Sequence, residues 1–253
     1  MGSNPARPTK GLKVFMDARM PVTHKEGDRY PLGPPYILSF MLKHIENLKW
    51  VGVLSLEDAD VLAQYGHSAN ILEFGSGGST LIFAQVANNV VSIETHSDWI
   101  QAVEERLQLV PNPCPVSILS YEYVRDLADI SQFYDVVFVD GLTHKRADFA
   151  LAAWSSLKTG GVMLFHDTKR SPYIDHVLTV AGVKLLEIES AFFNVAASNG
   201  RASNITVIKK RDSIPPADDF QNPESVRELW TFGKLEYNKQ IIENKLYQYK
   251  PPA

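Results

Sequence analysis

Two acids and three glycines stand where two predicted strands end. Glu73 lies at the end of the apolar run 71–74, and glycines at 75, 77 and 78 follow it before a helical pattern begins at Thr80. Glu94 closes the next apolar run, residues 90–94. Glycine lets the backbone approach a ligand without an intervening Cβ, and a carboxylate after the second strand can accept hydrogen bonds from both hydroxyls of a ribose. The pattern therefore predicts a nucleoside ligand at this turn.

The residue at position 80 argues against one class of ligand, the nicotinamide dinucleotides. The fingerprint of nicotinamide dinucleotides, G-x-G-x-x-G, requires glycine there, and this chain has Thr80. A glycine turn without a ligand is the structural alternative. Two acids at matching strand ends are hard to explain by packing alone, so a bound ligand is preferred to an empty turn. Because of Thr80, a nucleoside other than NAD is preferred.

Histidines and acids also follow two later predicted strands. Asp140 ends the strand at 134–140, His144 lies on the loop after it, and His166 and Asp167 end the strand at 162–167. An imidazole has an ordinary pKa near 6.5, which suits proton removal at neutral pH. His144 is the preferred general base and His166 is its rival. The alternative for each histidine is a structural hydrogen bond.

Four basic residues occupy the same two loops: Lys145, Arg146, Lys169 and Arg170. If they converge, they favour an acidic or phosphorylated acceptor. If they do not, they are solvated surface residues.

Strands and helices alternate from Asn70 onward, which predicts a parallel sheet covered on both faces. A capping box at Ser55 and Asp58 precedes a helix that Gly66 can end. The next predicted helix is capped by Thr95 or Ser97, and its Trp99 is expected in the core, with a position bordering an adenine as the alternative. Two later predicted helices run from Ala147 to Leu157 and from Ser171-Pro172 to just before Gly182. Late strands at 183–188 and 205–209 have no helix between them and must be antiparallel.

Glu73 followed by Gly75-Ser76-Gly77 resembles motif I of the class I S-adenosylmethionine-dependent methyltransferases. The segments Val139-Asp140-Gly141…His144 and Phe165-His166-Asp167-Thr168 resemble a branch of small-molecule O-methyltransferases. The resemblance covers about residues 66–210. It implies an α/β, doubly wound, mostly parallel seven-stranded Rossmann-like sheet with an antiparallel last strand.

The resemblance also implies site residues. The expected S-adenosyl-L-methionine contacts are Glu73, Gly75, Ser76, Gly77, Gly78, Ser79, Thr80, Glu94, Thr95, Tyr121 and Asp140, and the expected catalytic residues are His144, His166 and Asp167. In metal-dependent members, acids after the fourth and fifth strands hold a divalent cation that acidifies the acceptor hydroxyl. Asp140 and Asp167 stand there, and would suit Mg²⁺ with waters or, with His166, a transition metal.

Composition limits the remaining choices. The 253 residues predict an N-terminal strap and cap helices at 1–65, the methyltransferase core at 66–210, and a helical tail at 211–253 packed on the core or on a partner subunit. The net charge of −4 gives no basic footprint for nucleic acid. A single cysteine, Cys114, and the lack of a long apolar run lead us to expect a cytoplasmic protein without membrane segments. The tail leaves both a monomer and a homodimer open.

Two functions from different classes follow. The preferred one is O-methylation of a small hydroxylated metabolite or sugar, with S-adenosylmethionine as donor and assistance from a divalent cation left open. The alternative is a non-catalytic protein that binds S-adenosylmethionine or NAD. An aminopropyl transferase on the same fold is a weaker third, because paired acids for a polyamine are not evident.

Overall fold

A computed structural model of the chain describes residues 54–170, 172–216 and 221–233. The predicted N-terminal strap and the part of the cap helices before residue 54 lie outside the described residues, as does the tail beyond residue 233.

A seven-stranded mixed sheet forms the centre of the described chain. Its strands are β1 (Asn70–Phe74), β2 (Asn89–Glu94), β3 (Val116–Ser120), β4 (Tyr134–Val139), β5 (Leu157–Phe165), β6 (Ile188–Phe192) and β7 (Thr206–Lys210). They lie in the order β3-β2-β1-β4-β5-β7-β6. The first five strands pair in parallel, and β7 runs antiparallel to both of its neighbours. The predicted Rossmann-like methyltransferase sheet is confirmed.

The core lies on both faces of this sheet because successive strand residues point to opposite sides. Along β1, Leu72 and Phe74 belong to one buried cluster, and Ile71 belongs to another on the opposite face. Phe138 of β4 joins the second cluster, and its neighbours in the strand, Val137 and Val139, join the first. Full burial of such side chains contributes roughly 1.5–3 kcal/mol each, so the central strands hold the site edge rigid.

Helix α1 (Leu56–Gly66) precedes β1, and four helices connect later strands: α2 (Gly78–Val86), α3 (Ser97–Leu107), α4 (Arg146–Ala153) and α5 (Tyr173–Val183). The predicted capping box of α1 is confirmed. The Asp58 N–H donates to Ser55 Oγ and the Ser55 N–H donates to Asp58 Oδ2, both at 3.1 Å. Short 3₁₀ segments follow β3 (Tyr121–Asp129) and β4 (Thr143–Lys145).

Several predicted boundaries are wrong. His96, and neither Thr95 nor Ser97, is the N-cap of α3. Helix α5 runs through Gly182, and a 3₁₀ turn at 185–187 then delays β6 to Ile188. In addition, Pro172 is the N-cap of α5, not its first residue, while Ser171 lies outside the described residues.

Helix α4 also ends earlier than predicted, at Ala153 instead of Leu157. The ammonium group of Lys210 donates to the carbonyls of Trp154 and Leu157 at 2.8 and 2.9 Å. These long-range hydrogen bonds satisfy carbonyls at the turn between α4 and β5, so the chain leaves the helix there without exposing buried acceptors.

Residues 224–233 form a helix after the last strand. Val226 and Leu229 are fully or almost fully buried in the same cluster as Ile174 and Val177 of α5. This part of the tail therefore packs on the core, the first of the two predicted alternatives. None of the helices in the described ranges has the length and apolar character needed to cross a lipid bilayer.

Candidate functional site

The glycine turn between β1 and α2 brings the ends of β1 and β4 into contact. Gly75 has a φ of +90°, and a Cβ at this residue would lie 2.9 Å from Gly141 Cα. The Asp140 N–H donates to the Phe74 carbonyl at 2.9 Å, which extends the pairing of the two strands by one residue. Gly75 therefore needs both its left-handed backbone and its missing side chain, whereas Gly77 has an ordinary extended φ of 168°.

A cavity of about 590 Å³ opens at this edge of the sheet. It lies among the glycine turn, the segment after β2 and the segment after β4. Its volume falls in the range of small-molecule sites in proteins. The lining residues are Leu54, Gly75, Ser76, Gly77, Gly78, Ser79, Glu94, Thr95, His96, Ser97, Asp98, Trp99, Asp140, Gly141, Leu142, Thr143 and Arg146.

Glu94 connects the glycine turn to the segment after β2. Its Oε2 accepts from the Ser76 N–H at 2.9 Å and from Ser76 Oγ at 3.2 Å. Its Oε1 accepts from the N–H groups of Thr95 and His96 at 2.6 and 3.0 Å. The carboxylate is 6% exposed and lines the cavity, so it is both anchored and accessible to a ligand.

Trp99 closes the cavity on the same side. Its Nε1–H donates to the Ser76 carbonyl, and its side chain remains 36% exposed. The expectation that Trp99 is a core residue is therefore wrong. Its indole is held at the rim by the glycine turn and presents a flat surface to the cavity.

Glu73 lies beneath the turn and has no exposed surface. Its two oxygens accept from Ser79 Oγ at 2.5 Å and Thr80 Oγ1 at 2.6 Å, and Thr80 Oγ1 in turn accepts from the Gly77 N–H at 2.8 Å. Burial raises the pKa of Glu73 to about 7, although the two hydroxyls oppose the rise. In this structure Glu73 shapes the turn from below and does not line the cavity.

Arg146 lies at the centre of a charged cluster next to the cavity. It is the first residue of α4, and its side chain is only 5% exposed. Its Nη2 lies 2.7 Å from Asp140 Oδ1 and 4.0 Å from Asp167 Oδ2. Its Nε and Nη1 donate to the carbonyls of Gly141 and His166 at 3.2 and 2.7 Å. The guanidinium therefore joins the end of β4 to the end of β5.

His166 is held between carboxylates on both sides of its ring. Its Nε2 lies 3.4 Å from Asp58 Oδ2, and its Nδ1 lies 3.2 Å from Asp140 Oδ2 and 3.8 Å from Asp167 Oδ2. Burial alone would lower the pKa of this imidazole, but Asp140, Asp58 and Asp167 together raise it to about 10. His166 is therefore an imidazolium at neutral pH.

Asp58 supplies the far side of this cluster from helix α1. It also accepts from the Asn204 N–H at 2.6 Å. Burial alone would raise its pKa, but hydrogen bonds from His166, Asn204 and Ser55 lower it to about 2. Asp58, the N3 residue of the capping box of α1, is thus also a buried counter-ion of His166.

Asp167 adopts a left-handed backbone with a φ of +63°. Such a conformation is uncommon for a residue with a side chain and persists where its surroundings hold it. Asn204 Nδ2 donates to Asp167 Oδ1 at 2.9 Å, and the Thr168 N–H donates to the Asn204 carbonyl at 3.3 Å. Because β7 is antiparallel, its beginning lies at the edge where β4 and β5 end, and this brings Asn204 to the site.

The predicted cofactor contacts divide into two groups. The cavity is lined by Gly75, Ser76, Gly77, Gly78, Ser79, Glu94, Thr95 and Asp140, and is not lined by Glu73, Thr80 and Tyr121. Tyr121 is 44% exposed, and its ring packs edge-on against Phe149 with centroids 5.7 Å apart. The roles of all these residues toward a cofactor stay predictions.

The structure does not gather His144 and the four predicted basic residues at one place. His144 is exposed on the 3₁₀ segment next to Thr143, which lines the cavity. Lys145 pairs with Asp148 at 3.2 Å, and Lys169 Nζ donates to the Ala202 carbonyl at 3.2 Å. With Arg146 buried against Asp140, the four predicted cations do not form one exposed patch.

Asp58, Arg146 and Asn204 were not predicted as members of this cluster. Each of the three has a local interpretation in the sequence that does not point to the cluster. Asp58 belongs to a capping box, Arg146 is a basic residue at the start of a helix, and Asn204 precedes a strand. The sequence carries no local signal for their convergence, because the Asp58 to Asn204 hydrogen bond joins residues 146 positions apart.

Three potential metal ligands lie together: the ligand atoms of Asp140, His166 and Asp167 are all within 4.8 Å of one another. A divalent cation would have to share this space with the Arg146 guanidinium and would need an unprotonated imidazole. Asp140 Oδ1 already accepts from Arg146 at 2.7 Å. As folded, these residues do not fit a divalent cation.

The arrangement brings a nucleoside-sized cavity to the carboxyl ends of β1, β2 and β4, where open α/β sheets bind ligands. Glu94 can accept hydrogen bonds from a ribose, Trp99 can border an adenine, and Asp140 lies at the opposite wall. A reacting group placed beside Asp140 and Thr143 would lie near the exposed His144.

Residues 72–168 match the family model described as a methyltransferase domain. No curated protein matches the chain significantly in sequence. Many solved structures are similar in fold, and three of them serve as examples. A cofactor-bound protein from MTB is 16% identical, with 83% of this chain and 100% of the other covered and a TM-score of 0.51.

The other two are O-methyltransferases by their descriptions. The one from Bacillus cereus, in complex with SAH, is 15% identical and covers 71% of this chain and 93% of its own, with a TM-score of 0.50. TomG from Streptomyces achromogenes, involved in tomaymycin synthesis and in complex with SAM, is 16% identical and covers 79% and 96%, also with a TM-score of 0.50. At these identities the likeness shows the fold.

The methyltransferase-domain match spans the glycine turn, Glu94, Asp140 and the His166-Asp167 pair. It confirms the predicted resemblance to the class I S-adenosylmethionine-dependent methyltransferases, and with it the predicted enzyme class.

Proposed function

We propose that this protein transfers the methyl group of S-adenosylmethionine to a hydroxyl oxygen of a small-molecule acceptor. The observation that carries the proposal is the cavity of about 590 Å³ formed by the glycine turn, Glu94 and Asp140 within a methyltransferase domain. The solved O-methyltransferases of the same fold support the choice of oxygen as the acceptor atom.

The cofactor is bound by the segments after β1 and β2. Glu94 accepts hydrogen bonds from the ribose hydroxyls, Trp99 packs on the adenine, and the backbone at Gly75 passes close to the methionine part. Ser76 ties these elements together, since it donates to Glu94 and accepts from Trp99. Bound in this way, the cofactor would have its sulfonium methyl group toward the part of the cavity that Asp140 and Thr143 line.

The reaction is an in-line displacement. The acceptor oxygen forms a bond to the methyl carbon while the carbon–sulfur bond breaks, and its electron pair stays on sulfur to give S-adenosylhomocysteine. Positioning of the two reactants lowers much of the barrier because the sulfonium is already activated. The remaining task is removal of the hydroxyl proton.

His144 is the proposed general base. It is exposed and follows Thr143, which lines the cavity, so we propose that it receives the proton of a bound acceptor and passes it to water. His166 does not suit this role, because Asp58 and Asp140 hold it buried and protonated. Asp167, predicted as catalytic, contacts Asn204, His166 and Arg146 instead, and is proposed to position that cluster.

Two finer parts of the sequence prediction concern a divalent cation and the charge of the acceptor. A divalent cation at Asp140 and Asp167 is not adopted, because Arg146 already donates to Asp140. An anionic acceptor stays a prediction, with Lys169 and Arg170 as the exposed cations that would recognise it.

The test is incubation with radiolabelled S-adenosylmethionine and a panel of phenols, catechols, sugars and hydroxy acids, combined with calorimetry of cofactor binding. We expect transfer to at least one hydroxylated acceptor. Glu94→Ala should abolish cofactor binding. His144→Gln should leave cofactor binding intact and lower kcat by about 10²- to 10⁴-fold, the usual contribution of a general base.

His67→Gln is the matched control, since His67 is an exposed histidine at the end of α1 and does not line the cavity. It should behave as the wild-type protein. Cofactor binding with no transfer to any acceptor, even at high enzyme concentration, would favour the non-catalytic binding protein. An undiminished kcat in His144→Gln would exclude His144 as the base.

A further inference from the structure

We propose that Arg146 is the built-in cation of the Asp140, His166 and Asp167 cluster, and that it keeps this cluster from binding a divalent metal ion. Three protein ligand groups gathered within 4.8 Å would otherwise make a metal site. Metal binding by the cluster can be measured without methyl transfer.

The first argument is the geometry of the guanidinium. Arg146 Nη2 lies 2.7 Å from Asp140 Oδ1 and 4.0 Å from Asp167 Oδ2, so one nitrogen faces both carboxylates. These are the two carboxylates that a metal ion between the ends of β4 and β5 would need. Since a guanidinium keeps its charge at every physiological pH, a second cation here would meet constant repulsion.

The second argument is that Arg146 is fixed in place. Its Nε and Nη1 donate to the carbonyls of Gly141 and His166 at 3.2 and 2.7 Å. Its guanidinium carbon also lies 4.3 Å from the centre of the Tyr173 ring. Its side chain is only 5% exposed, although it contributes to the cavity wall, so most of its surface is held by these contacts. A metal ion would have to break several contacts to displace it.

The third argument is charge balance. The carboxylates of Asp140 and Asp167 face the permanent cation Arg146 and one side of the His166 imidazole, whose other side faces Asp58. Removal of the Arg146 charge would take the permanent positive charge away from these carboxylates, in a partly buried place where unpaired charge is costly. A divalent cation would restore the balance. The loss of Arg146 should therefore create a metal site that the wild-type protein lacks.

The experiment measures binding of Mn²⁺ by electron paramagnetic resonance and of Co²⁺ by its visible absorption, on metal-free full-length protein. Arg146→Met removes the charge and keeps much of the side-chain length. We expect the wild-type protein to bind neither ion at the cluster, and Arg146→Met to bind one equivalent at least about tenfold more tightly than the wild type does. The double variant Asp140→Asn/Arg146→Met should lose this binding, which locates it.

Lys145→Met is the matched control, because Lys145 is the neighbouring cation but pairs with the exposed Asp148 at 3.2 Å. It should bind no more metal than the wild type. Arg146→Lys, which keeps the charge, should likewise stay free of metal, and it remains informative if Arg146→Met does not fold.

Two results would overturn the proposal. One is uptake of one equivalent of Mn²⁺ by the wild-type protein that disappears in Asp140→Asn. The other is a folded Arg146→Met variant, verified by circular dichroism, with no more affinity for either ion than the wild type. Neither result depends on the acceptor or on turnover, so a failure of this proposal is distinguishable from a failure of the proposed methyl transfer.

Discussion

Replacement of Glu73 by glutamine should flatten the pH dependence of the protein's stability. The Glu73 carboxyl is completely buried, and burial raises its pKa from 4.5 to about 7. In the unfolded chain the group releases its proton near pH 4.5, whereas in the folded protein it holds that proton up to about pH 7. Deprotonation therefore favours the unfolded state, and this group lowers the free energy of unfolding as the pH rises through that window.

The magnitude follows from the difference between the two pKa values. A rise from 4.5 to about 7 corresponds to about 3 kcal/mol between full protonation and full ionisation, of which about 2.5 kcal/mol falls between about pH 5 and about pH 8. The glutamine variant has no proton to release, so this part of the pH dependence should vanish. A constant offset from changed hydrogen bonds to Ser79 and Thr80 is expected at both pH values.

The assay is urea unfolding followed by circular dichroism at about pH 5 and about pH 8, for the wild type and Glu73→Gln. The quantity compared is the change in unfolding free energy between the two pH values. Glu104→Gln, at an exposed position on α3, is the control and should reproduce the wild-type change. If Glu73→Gln loses as much stability with rising pH as the wild type does, the account of Glu73 as a buried acid that holds its proton is wrong.

Three further predictions concern the same edge of the sheet. Gly75→Ala should destabilise the protein by about 1–3 kcal/mol and abolish cofactor binding in calorimetry, because its Cβ would lie 2.9 Å from Gly141 Cα at a φ of +90°; retained binding would refute this. Trp99→Phe removes the hydrogen bond to the Ser76 carbonyl and should weaken cofactor binding by about tenfold, with kcat at saturation unchanged. Asp58→Asn should cost about 3 kcal/mol at neutral pH, because it leaves a buried imidazolium with one counter-ion fewer. It should also remove the loss of stability that the wild type suffers as the pH falls from 3.8 toward about 2, the range set by the lowered pKa of this carboxyl; acid titration followed by circular dichroism tests both statements.

The order of the strands could be predicted because local signals mark it. Apolar runs that end in Glu94, Asp140 and His166 define strands, and the two late strands without a helix between them imply antiparallel pairing. Local signals failed where a distant residue decides the outcome. Helix α4 ends at Ala153 because Lys210, far along the chain, binds the carbonyls of the following turn.

The candidate site likewise has a part that could be predicted from the sequence and a part that could not. The glycine turn and the cavity-lining Glu94 could be predicted, since a turn motif and the end of a strand are visible in sequence. The partners of His166 could not, because an imidazole between Asp58 and Asp140 is a product of three-dimensional convergence. For the same reason the burial of Arg146 against Asp140 could not be predicted from its place among four basic residues on two loops.

The reversed direction of β7 has a consequence for any attempt to shorten the protein. A fragment restricted to residues 72–168 contains the glycine turn, both acids and both histidines of interest, yet it lacks Asp58 and Asn204. Those two residues supply the carboxylate that faces His166 Nε2 and the amide that holds Asp167 Oδ1. The motifs within residues 72–168 therefore do not form a self-sufficient unit, and during synthesis the charged cluster cannot assemble before the chain has been made as far as β7.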